Sequence, residues 1–483
     1  MTSQTMQETF ADWKCLIGGE FHASGRPLEV RSPYDNSVVA VVSESSEDEI
    51  QEAIRHAQAA FAKNAGMPTH QKAAILHRMA AEVERRREEL VRILALEAGK
   101  PVKAGRAEVE RAIFNFHNFA EESQRIENEY FPLDVMPSAQ GRWALVRRVP
   151  LGPVLAISPF NFPLNLVVHK IGPALAAGNA VVQKPSPKTP LSSFALAQVA
   201  QAADVPNGML NVICCSNERA AQLVADERFK LLTFTGSSEV GWKLKSLAGK
   251  KRVALELGGN AGAIVHSDAD LEYAADRCVL GGFSFSGQSC ISVQRILVHR
   301  PAFDRFLPII VDRVRALIVG NPLDEKTDVG PLITHEAALR VEAWVKEAVE
   351  GGAKLLSGGK RDGNIVQPIV LTNTQAAMRV NCCEAFGPLV TVEAFDSLEQ
   401  AFTTINDSPY GLQAGIFTQD VRNIFAAFEK LDVGGVIAND MPSFRADHMP
   451  YGGSKDSGQG REGSKYAIEE MTERKILVLN FPK

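Results

Sequence analysis

The sequence predicts an α/β protein built on two doubly wound parallel sheets, and three observations carry that prediction. The chain has 483 residues, too many for one ordinary core, so length alone points to roughly two to four packed units. Between Val149 and Gly259, short apolar runs alternate with helical stretches. A second series of the same kind runs from Ala263 to about Asn439.

In the first series Val154 to Ser158, Ala180 to Lys184, Leu210 to Cys214, Leu231 to Phe234 and Val253 to Leu257 read as strands. Helical patterns start near Pro163, Pro190, Arg219 and Ser238. Strands with so little polarity, in strict alternation with helices, belong to a parallel sheet covered on both faces. Ligands bind such sheets at the carboxyl ends of the strands. The second series offers Gln294 to Val298, Ile369 to Leu371, Leu389 to Ala394 and Gly435 to Asn439 as strands. Upstream, Ser46-Glu47-Asp48-Glu49 forms a capping box ahead of Ile50, Ala53, Ile54, Ala57 and Phe61 at helical spacing, and long helices run on to about Glu129. Two strand-like pieces, Gln140 to Val149 and Lys475 to Phe481, belong to neither series. Such pieces pair with each other or with a second subunit's edge.

Composition narrows the function. Hydrophobic residues at 45% and charged residues at 23% are those of an ordinary soluble globular protein. A net charge of −5 provides no basic field for nucleic acid, and Arg85, Arg86 and Arg87 are interleaved with Glu82, Glu84, Glu88 and Glu89 as on a solvated helix face. Met1 to Lys14 lacks the apolar core of a secretory signal, and no run of about 18 apolar residues reads as a membrane span; the expected location is cytoplasmic. The seven cysteines, Cys15, Cys214, Cys215, Cys278, Cys290, Cys382 and Cys383, are odd in number and scattered. They match neither a disulfide framework nor a paired-spacing zinc site, and no metal is expected.

Two residues draw attention for chemistry. In Phe285-Ser286-Gly287-Gln288-Ser289-Cys290 a cysteine follows a helix and a glycine turn. A lone cysteine is more often a small buried hydrophobe than a nucleophile, but a thiolate attacks carbonyls well when a base or dipole supports it. In Glu256-Leu257-Gly258-Gly259-Asn260 a carboxylate ends an apolar strand beside two glycines that leave space. Buried there it is costly unless hydrogen-bonded or used, although a cap or salt bridge is the commoner fate of such a glutamate.

Around these residues the chain resembles the aldehyde dehydrogenase superfamily along almost its whole length. The matching stretches are Ser158-Pro159-Phe160-Asn161-Phe162-Pro163, Lys184-Pro185-Ser186 and Phe234-Thr235-Gly236-Ser237 leading to Gly241. They continue through the Glu256 and Cys290 motifs to Glu384-Ala385-Phe386-Gly387-Pro388 and Pro450-Tyr451-Gly452-Gly453. Each is weak alone, and in this order they are highly specific. Gly236 to Gly241 is not the Rossmann glycine fingerprint and carries no Walker lysine.

The resemblance implies a dinucleotide-binding domain of residues 1–129 and 150–257, a catalytic domain of 258–468, and an oligomerisation arm of 130–149 and 469–483 in a homodimer or homotetramer. It implies that Cys290 attacks the aldehyde, that Asn161 and the Cys290 backbone N–H form the oxyanion hole, and that Glu256 activates the water that hydrolyses a thioester. NAD or NADP would lie along Ile157, Ser158, Pro159, Phe160 and Leu257, with Lys184 and Ser186 at the adenosine ribose. Gly236, Ser237 and Gly241 would line the pyrophosphate turn, and Glu384 and Phe386 would sit at the nicotinamide end.

This sequence departs from the family at informative places. NAD-preferring members have a glutamate three residues after the Lys184 position; here Pro187 stands there, between Ser186 and Lys188. Without that carboxylate nothing repels a 2′-phosphate, so NADP is expected to be accepted, with or without NAD. Asn165, His169 and Arg445 occupy positions that are apolar in relatives acting on apolar aldehydes, with Phe162, Phe285 and Ser289 completing the tunnel. Three polar residues there favour a short hydroxylated or anionic aldehyde, as in the lactaldehyde and semialdehyde branches. Cys382 and Cys383 read as structural or incidental, and Cys214-Cys215 replaces a strand end where relatives often carry glycine. Rival readings are a coenzyme A-acylating relative, which would generally lack the Glu256 base, and a binding protein that kept the fold without catalysis.

Overall fold

The computed structural model describes residues 13–481, so the reading of the first 12 residues lies outside the described ones. The five strands of the first series lie in one sheet in the order Leu210–Val212, Val181–Lys184, Val154–Ile157, Leu231–Thr235, Arg252–Glu256, all parallel. Their inner members are buried along their whole length, as strands covered by helices on both sides must be. The chain starts in the middle, winds outward, and returns to the other side of Val154–Ile157. The switch point therefore falls between Val154–Ile157 and Leu231–Thr235, where a crevice opens in doubly wound sheets. Register aligns Ile157 with Lys184, Phe234 with Ile157, and Thr235 with Glu256, so the motif residues leave the sheet along one edge.

Three short antiparallel strands complete this sheet: Glu20–His22 and Cys15–Ile17 beyond Leu210–Val212, and Gly458–Gln459 beside Arg252–Glu256. The last comes from the segment expected to belong to the catalytic domain of 258–468, and it carries the Lys455-Asp456-Ser457-Gly458 stretch back onto the first sheet. The strand expected to reach Cys214 ends at Val212, because the Cys214 backbone turns to Ser45: its N–H donates to Ser45 Oγ at 3.1 Å and its carbonyl accepts the Ser45 N–H.

The second sheet has seven strands in the order Lys354–Ser357, Ile369–Thr372, Leu389–Phe395, Val293–His299, Ala261–Val265, Gln413–Phe417, Gly435–Ala438. All but the first are parallel to their neighbours. Gln413–Phe417 was not expected as a strand: its Gln-Ala-Gly start has weak β-propensity, and its complete burial reflects its place between two neighbours.

Four helices, Glu47–Asn64, Thr69–Arg85, Arg87–Ala98 and Val102–Ser123, fill the early region. The Ser46–Glu49 capping box is formed reciprocally, with bonds of 3.2 and 2.8 Å. Helix Val102–Ser123 positions the next one. Its Glu108 carboxylate accepts the N–H groups of Leu164 and Asn165 at 3.0 Å each, capping helix Asn165–Ala177 where backbone donors lack partners and the dipole favours an anion. Lys100, fully buried, neutralises Glu108 and lies 3.7 Å from the centroid of the Phe162 ring.

The two leftover pieces pair with each other. Thr472–Asn480 runs antiparallel to Arg142–Pro150, with Glu129–Pro132 on the far side. This small sheet exposes Tyr130, Trp143, Leu145, Ile476, Leu477 and Val478 to solvent. No helix among the described residues is long and apolar enough to cross a membrane.

Candidate active site

A cavity of about 1030 Å³ opens between the two sheets and is lined by Asn161, Glu256 and Cys290 together. The Ser284–Gly287 turn presents the cysteine. Phe285 and Ser286 both have left-handed backbones, φ 48° and 57°, a conformation that strains non-glycine residues and clusters at functional sites. Ser286 is held by its hydroxyl donating to the Gly330 carbonyl at 2.7 Å. Gly287 also has positive φ, and a Cβ there would lie 2.2 Å from the Gly387 carbonyl oxygen. Gly259 explains the second glycine after Glu256: a Cβ would meet the Cys290 carbonyl oxygen at 2.0 Å.

Cys290 is half-buried, and its Sγ lies 3.2 Å from the Tyr451 hydroxyl. Burial pushes the thiol up to about 12, against the lowering effect of the Tyr451 bond, with Glu384 and Glu256 adding to the rise. Glu256 is buried, and its Oε2 has no hydrogen-bond partner. Burial, then the neighbouring Glu462, raise its carboxyl well above the usual range despite Arg445 and Lys170. An unpartnered buried carboxylate facing a cavity is a group held ready rather than a structural cap. The Asn161 amide donates to the Gln288 carbonyl at 3.1 Å, which uses one of its two N–H bonds and fixes the plane of the other.

At the expected cofactor end, Pro159, Phe160, Gly236, Ser237, Leu257, Glu384 and Phe386 line the cavity. Phe160 and Phe386 meet edge to face at 5.8 Å. Glu384 Oε1 accepts the Gly259 N–H at 2.9 Å, and burial raises its carboxyl to about 7. Gly241 lies behind the turn: a Cβ would strike Leu257 at 2.3 Å, so helix Ser238–Leu247 packs directly on the strand end. Ile157 and Ser158 also sit at strand ends outside the lining. Ser158 accepts from Gln183 at 2.7 Å. Lys184 is buried, donates to Asn217 at 2.9 Å, and has its ammonium pKa lowered by burial. Ser186 Oγ accepts the Lys188 N–H at 3.2 Å, and Lys188 itself faces the cavity. Lys184 and Ser186 lie outside the lining, and a carboxylate with free lone pairs together with Lys188 on the cavity wall fits a dinucleotide. Among the described residues no group of three or more His, Cys, Asp or Glu could hold a metal ion.

Toward the substrate end, Phe162, Asn165, Phe285, Ser289 and Arg445 line the cavity, with the two rings 6.1 Å apart. His169 does not. One helical turn past Asn165 it points inward, fully buried, with Nε2 2.9 Å from Asp447, and burial together with the adjacent Arg445 lowers its pKa against the opposing pull of Asp447 and Glu462. Sequence reasoning missed four residues. Arg111 lines the cavity and forms a two-point pair with Asp447 at 2.6 and 2.8 Å. Arg445 donates to Glu462 at 2.8 Å and lies 3.8 Å from the Tyr451 ring centroid. Burial would raise both carboxyls, but Asp447 is held low by its bonds from Arg111 and His169, and Glu462 by Arg445, His169 and Lys170. Only Tyr451 had a signal, its place in the Pro450 motif; Arg111, Asp447 and Glu462 sit in unremarkable helical or loop sequence.

Residues 21–477 match the aldehyde dehydrogenase family. The chain is 44% identical over 481 residues to a 3-sulfolactaldehyde dehydrogenase of Priestia megaterium, covering 99% of this chain and 100% of that one. Aldehyde dehydrogenase 21 of Physcomitrella patens, solved in complex with its reaction product succinate, superposes with a TM-score of 0.95 at 43% identity, covering 97% and 98%. A glyceraldehyde-3-phosphate dehydrogenase of Methanocaldococcus jannaschii, solved with NADP, gives 0.91 at 40% identity, covering 95% and 100%. The chain belongs to the aldehyde dehydrogenase family. It is an NAD(P)-dependent aldehyde dehydrogenase.

Proposed function

We propose that the protein oxidises a short anionic aldehyde to its acid through a thioester on Cys290. The observation that carries this reading is the convergence of Cys290, Glu256 and Asn161 on one cavity whose wall also holds Arg445 and Arg111. Arg111 and Arg445 pair with Asp447 and Glu462 on this wall, and the buried Lys170 stands beside Glu462. Arg445 lines the cavity with its Nε left without a hydrogen-bond partner, a donor that a carboxylate or sulfonate tail would satisfy. A sulfonated substrate in one relative's name and a bound dicarboxylate in another's structure point the same way.

In this mechanism the Cys290 sulfur adds to the aldehyde carbon, and the thiol proton passes to solvent through the open cavity as the C–S bond forms. Asn161 and the Cys290 N–H receive the charge on the former carbonyl oxygen, where a fixed donor acts most strongly. Glu384 and the strand-end residues would hold NAD(P)+, which would supply the two-electron oxidant. Glu256 then takes a proton from water, the hydroxide attacks the thioester, and the C–S bond breaks to free the acid. That base separates this reading from coenzyme A-acylating chemistry. Asn161→Ala is expected to lower kcat by roughly 10²–10³, the usual loss for one oxyanion donor, and near-normal steady-state turnover would remove Asn161 from this role. NADP is accepted because Pro187 offers no carboxylate to its 2′-phosphate while Lys188 faces the cavity. The three-stranded arm, with its exposed apolar residues, joins copies of the chain into a homo-oligomer.

The test is a panel of aliphatic, aromatic, hydroxylated and anionic aldehydes with each cofactor, followed by nicotinamide absorbance. Anionic short aldehydes are expected to show the highest kcat/KM. Arg445→Ala should raise KM for the best anionic aldehyde more than for an uncharged one. Equal changes for both would mean that Arg445 only supports Glu462 and Tyr451, and a strong NAD preference would refute the cofactor reading.

A further inference from the structure

Four of the seven cysteines, Cys15, Cys214, Cys215 and Cys278, are buried. Outside the catalytic centre the accessible thiols are Cys382, exposed, and Cys383, half-buried, with their sulfurs 3.8 Å apart. They end the short helix Arg379–Cys382 and stand directly before Glu384. The backbone there is pinned on both sides of Glu384 by one side chain. Gln294 Nε2 donates to the Cys383 carbonyl at 2.7 Å, and its Oε1 accepts the Ala385 N–H at 2.9 Å. Glu384 in turn holds Gly259. A twist of the 382–383 peptide large enough to break the Gln294 bond to the Cys383 carbonyl removes one half of the clamp that fixes Glu384.

We propose that Cys382 and Cys383 form a redox-modification site that a small-molecule disulfide converts to a vicinal disulfide, loosening the cofactor. This rests on the reading of Glu384 as a residue that holds the nicotinamide end of the cofactor. The exposed Cys382 thiolate attacks the disulfide and releases one thiol. The Cys383 thiolate then attacks the Cys382 sulfur and expels the second. One S–S bond is made and one broken, the two cysteines are oxidised, the reagent is reduced, and the two protons leave on its thiols.

The sulfurs must close from 3.8 Å to about 2.05 Å. Adjacent Cα atoms about 3.8 Å apart are closer than the usual disulfide range of about 4.4–6.8 Å, so the connecting peptide must twist. That twist opposes the Cys383 N–H bond to the Arg379 carbonyl at 3.1 Å and the Gln294 clamp. Strained bridges are the more readily reduced ones, which makes the modification reversible.

The experiment uses the full-length Cys290→Ser protein, which removes the competing nucleophile, treated with oxidised glutathione. Peptide mass and calorimetric NADP binding are read before treatment, after it, and after dithiothreitol. The peptide carrying both cysteines is expected to lose the mass of two hydrogens without gaining glutathione. NADP affinity is expected to fall about tenfold or more, the loss of a charged hydrogen bond, and to recover on reduction. The protein with Cys382→Ser and Cys383→Ser added should show neither change. Stable glutathione adducts, or a bridged protein that binds NADP as tightly as the reduced one, overturn the proposal. Glu384→Ala separates the two layers. If it binds NADP normally, the assignment of Glu384 has failed and the proposal falls with it. If it binds weakly while the bridged protein does not, the dithiol proposal alone has failed.

Discussion

Cys290→Ala is expected to lower dehydrogenase turnover by on the order of 10⁴-fold or more, because removing a covalent nucleophile leaves only binding and the oxyanion donors. Cofactor affinity is expected to stay unchanged. The residues placed to hold the dinucleotide, from Pro159 to Glu384, do not hydrogen-bond to the Cys290 side chain, whose one such partner among the described residues is Tyr451. Stability should fall by only about 1 kcal/mol, the cost of leaving that hydroxyl without its partner. Steady-state assay, calorimetric titration with NADP and thermal unfolding of the same preparation check the three parts. A variant that loses cofactor binding along with turnover would make Cys290 a packing residue.

What sequence could reveal follows from how local each feature is. The strands of the first sheet were legible because Val154–Ile157 and Leu231–Thr235 are buried on both faces and so read as unbroken apolar runs. The Ser46–Glu49 cap is likewise complete within four residues. Glu256 and its glycines announced a group in need of space, yet the reason for Gly259, contact with the Cys290 carbonyl, needs two sheets brought together. His169 was misplaced because periodicity shows that Asn165 and His169 share a helix face but not where the cavity wall ends along it. The Arg111–Asp447 pair spans 336 residues and the Cys290–Tyr451 contact 161. Neither leaves a trace in local pattern, so the charge that Arg445 brings could not be weighed against its neighbours until the fold placed them.

Glu256→Gln tests the hydrolytic half of the mechanism by separating two steps that share one cavity. The substitution keeps the side chain's size and removes the base, so acylation of Cys290 should persist while thioester hydrolysis slows by on the order of 10²–10⁴, the range for a positioned general base. One equivalent of reduced cofactor per active site should then appear rapidly and be followed by slow turnover, with the acyl group detectable on Cys290 by mass. The wild-type protein supplies a second handle through pH. Burial and Glu462 raise the Glu256 pKa well above the ordinary carboxylate range, and only the ionised form accepts a proton from water. Hydrolysis must therefore be slow below the raised pKa and accelerate as pH climbs through it, the opposite of what an ordinary carboxylate, fully ionised by pH 6, would give. Where hydrolysis limits kcat, the rising limb belongs to Glu256 and should vanish from kcat in Glu256→Gln. A rising limb that survives in the variant, with no burst, would assign the titration to the Cys290 thiol and leave Glu256 as a buried structural acid.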